Sequence, residues 1–289
     1  MNFGAIPVNI AQDLTPSAMI DMAVKAEETG FESIWTFEHT LIPLEYESKY
    51  PYSEDGKMGG TDDIPIVDPL IALAAVAQAT TTIKLGTGVN VLPQANPVYL
   101  AKQTAGLDWL SNGRLLLGLG LGWLEEEFDA IGVPFKRRGA RFDDYLVAIR
   151  KFWSGETVEH QSEFISWSGF LSHPLPAQKP GPPVIIGGTK GKAFDRIATA
   201  GDGWFAPAVT PDLLAPLMKP LEEACERHGR DRSSVEVTTM WFPMMTDLDA
   251  LKGFEDLGVD RVIVHTLGLK GKTTEEKLER FAEEVIAKQ

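Results

Sequence analysis

Three observations predict an α/β fold, specifically a (β/α)8 barrel of the TIM type. Short apolar segments alternate with amphipathic helical ones almost from end to end, and each kind occurs eight times. The 289 residues, 44% of them hydrophobic, suffice for one core of that size. An open doubly wound sheet would leave the eightfold count a coincidence. One domain over residues 1–289 is expected, with insertions at about 40–65 and 155–183.

The expected strands are Phe3–Val8, Ser33–Phe37, Ile83–Val89, Leu115–Gly120, Val184–Gly187, Gly203–Ala206, Val235–Phe242 and Arg261–His265. The helices between them are Pro16–Gly30, Asp68–Ala79, Pro97–Leu110, Arg141–Trp153, Ala193–Ala200, Pro211–His228, Asp247–Leu257 and Thr273–Lys288. Thr15-Pro16 reads as a cap followed by proline at the first helical position, and Thr29-Gly30 as a helix end. The segment Thr40–Pro65 is rich in Tyr, Pro, Gly and charge, and Gly155–Pro183 carries Trp167 and Phe170 among prolines. Loops this long in a compact domain are lids or disordered, and their aromatics favour a lid or pocket wall.

Glycine gives up packing and β propensity, yet three of them alternate in Gly118-Leu119-Gly120-Leu121-Gly122 at one strand end. Gly86 and Gly88, then Gly187 and Gly188, repeat the device. Together they suggest one ligand lying across several strand ends. The run is not a dinucleotide fingerprint, since the G-x-G-x-x-G spacing is missing. Close packing against a neighbouring element would explain one glycine better than three.

In such barrels chemistry sits at the C-terminal strand ends. There the sequence places Glu38-His39, the only adjacent acid–imidazole pair, which can move a proton near neutrality or cap the loop. Gly187-Gly188-Thr189-Lys190 opens a helix, where free N–H groups, the dipole and nearby Lys192 can cradle phosphate, though a plain tight turn would also use Gly-Gly. Trp35, Phe37, Trp241 and His265 also fall at strand ends and are candidates for the substrate pocket; with Trp167 they suggest an apolar or planar molecule. Lys136-Arg137-Arg138 with Arg141 is the one basic cluster, read as a solvated helix start paired with Asp143 and Asp144 or as a dock for an anionic tail. The five histidines show no metal-binding spacing, and neither a nucleophile elbow nor a strand-end lysine is present. Such a site suits an organic cofactor that carries the chemistry.

At these residues the chain resembles the bacterial luciferase-like superfamily of flavin- or deazaflavin-dependent oxidoreductases, and more narrowly its coenzyme F420-dependent branch. The resemblance rests on Ser33 to His39, Lys84 to Val89, Asn112 to Leu115, Gly118 to Trp123, Gly139 to Arg141 and Gly201 to Trp204, in matching order and spacing. It implies a barrel with the cofactor ring across the strand ends and a non-proline cis peptide between Gly88 and Val89, within a cofactor-contacting stretch from Thr87 to Val89. It further implies that Leu121, Gly122 and Trp123 line the ring, that Gly187, Gly188, Thr189 and Lys190 hold phosphate, and that His39 exchanges a proton, possibly with Glu38. Some members carry aspartate where this chain has Glu38. The deazaflavin sugar dehydrogenases carry a glutamate where this chain has Trp123, which speaks against sugar-phosphate chemistry.

The function expected from the resemblance is hydride transfer between coenzyme F420 and a small organic substrate. The alternatives are an FMN-dependent monooxygenase using reduced flavin and O2, and a non-catalytic flavin-binding relative. Relatives pair through barrel helices, so a homodimer is expected.

Composition narrows the setting. A formal charge of −14 argues against nucleic acid and anionic membrane as partners. No secretory signal and no apolar run of about 20 residues is seen, and the single Cys225 excludes an internal disulfide framework. A cytoplasmic protein is the expectation.

Overall fold

The computed structural model describes residues 1–53, 55–58 and 63–288. Eight parallel strands form the barrel: β1 (Asn2–Ile6), β2 (Ser33–Thr36), β3 (Lys84–Thr87), β5 (Leu115–Gly120), β8 (Val184–Gly187), β9 (Gly203–Ala206), β10 (Glu236–Trp241) and β11 (Arg261–His265). They run in the order β3-β2-β1-β11-β10-β9-β8-β5, and β5 pairs back onto β3 to close the ring. Two residues past β3, β4 (Asn90–Val91) extends the edge along β5. The surrounding helices are α1 (Pro16–Glu28), α2 (Pro69–Ala79), α3 (Pro97–Leu110), α5 (Arg138–Trp153), α6 (Ala193–Ala200), α7 (Pro211–Arg227), α8 (Asp249–Asp256) and α9 (Thr274–Glu284). A short helix α4 (Glu125–Ala130) and an antiparallel hairpin, β6 (Val158–Gln161) with β7 (Ser166–Phe170), are additions to the eightfold pattern.

Several helices start on one design. Thr15, Asp68, Asn96 and Thr210 each accept a hydrogen bond from a first-turn N–H, and each is followed by proline at the first helical position. Between strands and helices lies the larger core. On β11, Val262 and Val264 face that layer. The alternate residue Ile263 turns inward to meet Ile6, Trp35, Leu116, Ile185 and Phe205, which fill the barrel's interior.

This interior corrects the reading of the strand-end glycines. A Cβ on Gly86 would stand 2.2 Å from the Trp35 ring, and one on Gly118 would stand 1.8 Å from the carbonyl oxygen of Thr87. At Gly120 the clash is with Val89, at 2.5 Å. The bare positions of β3 and β5 thus receive the chain's own Trp35, Thr87 and Val89. A barrel interior is filled by side chains, and here one indole takes the place of several smaller residues.

The second insertion also departs from expectation. A segment between a helix and the next strand leaves from the barrel's N-terminal face, and Gly155–Pro183 returns there. Near its end Gln178 donates from its backbone N–H and Nε2 to Asp108 at 2.9 and 2.7 Å, and from Nε2 to the Leu115 carbonyl. The hairpin lies along α5, with Trp167 stacked between Phe152 and His160 and the His160 Nε2 2.8 Å from Asp144 Oδ1. The turn at Glu163 and Phe164 meets the start of α5, where Arg137 pairs with Glu163 and stands over the Phe164 ring. Trp167 therefore anchors a flank of the barrel and does not wall a pocket. Asp143 and Asp144 do not pair with the basic cluster either, because Arg196 and His160 hold them.

Two glycine substitutions separate these roles. Gly118→Ala should destabilise by about 1–3 kcal/mol or more in urea unfolding, because a backbone carbonyl cannot yield the space. Gly106→Ala, inside α3 with nothing near its Cβ position, should stabilise by about 0.5–1 kcal/mol. Equal effects at the two positions would contradict this packing.

Candidate active site

The rim at the C-terminal strand ends is built on the segment leaving β2. Asn9, fully buried after β1, donates from Nδ2 to the carbonyls of Phe37 and Val67 at 2.8 and 2.7 Å. Its Oδ1 accepts the Phe37 N–H at 3.0 Å, so one amide side chain fixes Phe37 from both sides. The next residue, Glu38, accepts from Asn90 Nδ2 at 2.9 Å and from the Val91 N–H, which ties β2's exit to β4. Burial, with the charges of Asp68 and Glu127 adding, pushes the Glu38 carboxyl up to about 7 against the pull of those two donors.

His39 follows on the same turn. Its ring meets Trp123 edge to face at 6.1 Å. Nδ1 stands 3.3 Å from Glu127 Oε2, close enough for an ion pair but off the line of a hydrogen bond. Glu127 is 3% exposed and sits in the first turn of α4. Its Oε1 accepts from the Thr40 and Leu41 N–H groups, the latter at 3.1 Å, and Gln94 Nε2 donates to Oε2 at 3.2 Å. Burial alone would raise the Glu127 carboxyl, but His39 and these donors hold it below the usual carboxylate range. The neighbouring Glu126 accepts from the Glu47 and Ser48 N–H groups at 2.6 and 3.0 Å. Two successive carboxylates of one helical turn therefore fasten the start of the first insertion. That insertion lays Tyr46 and Tyr50 against Trp123, at 5.6 and 5.2 Å between ring centroids. Of the segment expected at 40–65, residues 54 and 59–62 lie outside the described residues.

The Gly88–Val89 peptide is cis, as the resemblance implies. Val89 lies over Gly118 and Gly120, where it joins Phe37 and Met240 as half-buried residues above the interior core. Gly88 and Val89 reach the rim, whereas Thr87 is buried and donates from Oγ1 to the Gly118 carbonyl at 2.8 Å. Leu121, Gly122 and Trp123 are partly exposed beside them. Gly122 has φ +74° and faces Val91 and Phe128, and Arg138 Nε donates to its carbonyl at 3.2 Å.

After β8, Gly187, Gly188 and Thr189 are partly exposed and Lys190 is exposed. Gly188 has φ +116°, and its Cβ direction is open to 3.5 Å, at Ala193. Trp204 Nε1 pins its carbonyl at 3.0 Å. Helix α6 begins after Lys192 with no side-chain cap; the Ala193 N–H bonds the Lys190 carbonyl at 3.2 Å, and Lys190 and Lys192 are both exposed at this turn. This is the part of the rim that fits a phosphate-bearing group. The half-buried floor of Phe37, Val89 and Met240 is the part that fits a flat ring.

Two pocket candidates lie elsewhere. Trp35 is fully buried inside the barrel, donating from Nε1 to Ser33 Oγ at 2.8 Å. Trp241 is 2% exposed and points outward to Phe281 and Thr246, because it alternates with the inward Met240. Phe37 and His265 do meet at the rim, with ring centroids 6.2 Å apart. Sequence reasoning did not single out Asn9, Gln94 or Glu127. For Glu127 a signal existed, an acid run right after a strand-end glycine motif, but it also reads as an ordinary helix start.

The raised Glu38 carboxyl gives a signed pH dependence. Its proton-bound form is favoured in the folded state, so its contribution is fully present below pH 4.5 and fades as pH rises through about 7. Compared with Glu38→Gln, the wild-type protein should lose on the order of 2–3 kcal/mol of unfolding free energy across that interval. Parallel stability curves for the two proteins would show that Glu38 ionises normally.

Comparison with known proteins bears on the family and the fold. The sequence profile of the luciferase-like monooxygenase family matches residues 4–251. An uncharacterized protein of Mycobacterium tuberculosis is 33% identical over 277 residues, covering 93% of this chain and 94% of that one. Among solved structures, the coenzyme F420-dependent tetrahydromethanopterin reductase of Methanopyrus kandleri superposes with TM-score 0.79 over 99% of each chain at 17% identity. A monooxygenase of Streptomyces bottropensis does so with TM-score 0.77 over 100% of this chain and 99% of that one, at 19% identity. With most of its length matched by the family profile, the chain belongs to the luciferase-like monooxygenase family, an oxidoreductase family built on this barrel.

Proposed function

We propose that this enzyme transfers a hydride between coenzyme F420 and a small organic substrate at the C-terminal rim. The observation that carries the reading is His39, which meets both the Trp123 ring and the buried carboxylate of Glu127 at the rim. F420 supplies a two-electron hydride carrier when bound. The chain's own residues do the rest. Gly188, Lys190, Lys192 and the side-chain-uncapped start of α6 would hold the phosphate-bearing portion, and Val89, Leu121 and Trp123 would border the ring. Hydride transfer to or from a polar bond needs a proton moved at the partner atom, and His39 is placed to give or take it. Glu127 supports the imidazolium through charge, while Asn9 and Glu38 keep the turn that presents it.

The likeness to the F420-dependent reductase supports the choice of cofactor. The family's description as luciferase-like monooxygenase, with the Streptomyces monooxygenase structure, supports a monooxygenase, with FMN as its flavin, as the second reading.

Equilibrium titration separates the two. Saturable binding of F420 with a Kd on the order of micromolar, and no uptake of FMN, is the expected result. Uptake of FMN alone would overturn it in favour of a monooxygenase, and a bound cofactor that no donor or acceptor reduces or oxidises would favour a non-catalytic relative. His39→Ala should retain cofactor binding and lower turnover by ~10²–10⁴. Undiminished turnover would remove His39 from the proton-transfer role.

A further inference from the structure

One polar side chain at the rim has no part in the cofactor and proton-transfer roles above. Alternate residues of β11 turn inward, with Arg261 packed 5.8 Å from the Trp35 ring and Ile263 in the interior cluster. His265 is the third in that row and ends the strand at the rim. Its ring stacks on Phe242 at 4.5 Å and 23°, with Phe37 on another side at 6.2 Å. Burial alone holds the imidazole down at about 4, so it is neutral in ordinary buffers.

Nδ1 accepts the Leu267 N–H at 3.1 Å, so the ring proton of the neutral form is on Nε2. Among the described residues, Nε2 has no hydrogen-bond partner, and the ring is only partly buried, so Nε2 is open to a ligand at the rim. It is thus a fixed donor in an otherwise apolar corner. Met244, Met245 and Leu267, all more than half exposed, extend that corner outward.

We propose that His265 anchors the substrate, and that the substrate is an uncharged, largely apolar molecule bearing an acceptor oxygen, such as a ketone carbonyl. A single neutral donor between aromatic rings rewards such an oxygen. It gives a carboxylate one hydrogen bond and no countercharge, which cannot offset the loss of that ion's hydration. The inference rests on the hydride-transfer reading for the location of the site, but it is tested without the cofactor.

The test uses acetophenone and 2-octanone as neutral probes and benzoate as the charged isostere, followed by 15N NMR of the histidine rings. In the wild-type protein the His265 ring should show protonated Nε2 from pH 5 to 8, and both ketones should shift it saturably. Benzoate should bind at least tenfold more weakly than acetophenone. His265→Phe keeps the stack on Phe242 and should lose about tenfold in ketone affinity, read by ligand-observed NMR, whereas His265→Gln, which keeps a donor, should lose less. Absence of ketone binding, benzoate binding as tightly as acetophenone, or equal ketone affinity in His265→Phe would each overturn the proposal. Titration of the wild-type protein with F420 reads the cofactor assignment separately, so failure of one is distinguishable from failure of the other.

Discussion

The architecture depends on how the space inside the strand ring is filled. Eight strands enclose a volume that must be packed to crystal-like density, and here a large share falls to one residue. Trp35 lies across the inward positions of β1 and β3, and it can do so only because Gly4 and Gly86 present no side chain. Above it, the inward turn of Val89 uses the space left by Gly118 and Gly120. The glycines are therefore not openings. They are the complement of two bulky residues, and the floor of the rim is the upper surface of that packing.

On this floor the site is assembled mainly by side-chain groups holding backbone N–H donors and carbonyls. Asn9 fixes Phe37, Glu38 fixes Val91, Glu127 fixes Thr40 and Leu41, and Glu126 fixes Glu47 and Ser48. A loop has no ladder to satisfy its amides, so buried or half-buried carboxylates do that work. The two acids nearest His39 are tuned oppositely. At Glu127 the donors and His39 outweigh burial and hold the carboxylate ionised, while at Glu38 burial, with the charges of Asp68 and Glu127 adding, outweighs its two donors and inclines the group to its protonated form. His39 thus has a fixed negative neighbour on one side and a titrating one in the same turn.

Much of this was legible in the sequence because periodicity and punctuation report on buried strands and helix starts. The eight strands, the eight outer helices and the concentration of unusual residues at the rim all follow from alternation and caps such as Thr15-Pro16. What failed was inference about direction. Trp35 and Trp241 both stand near strand ends, but strand alternation sends one deep inside and the other to the helix layer, and a one-residue offset in register reverses that outcome. The glycine run misled for a related reason, since a missing side chain does not say whether a ligand or a neighbouring residue fills the place. Glu127 was hidden because its partners, the amides of Thr40 and Leu41, are more than eighty residues distant in the chain.

The shared attachment of the first insertion and the catalytic candidate has a mechanical consequence. Glu126 and Glu127 are adjacent on one helical turn, yet one grips the tyrosine-bearing loop and the other stands beside the imidazole. A replacement in that loop that shifts its seat also shifts the turn that the His39 ring stands beside. The seat of the tyrosine-bearing loop and the surroundings of His39 are therefore mechanically coupled through one helical turn. The corner of His265, Phe242 and Phe37 makes no contact with that helical turn among the described side-chain interactions, so its packing is independent of the loop's seat.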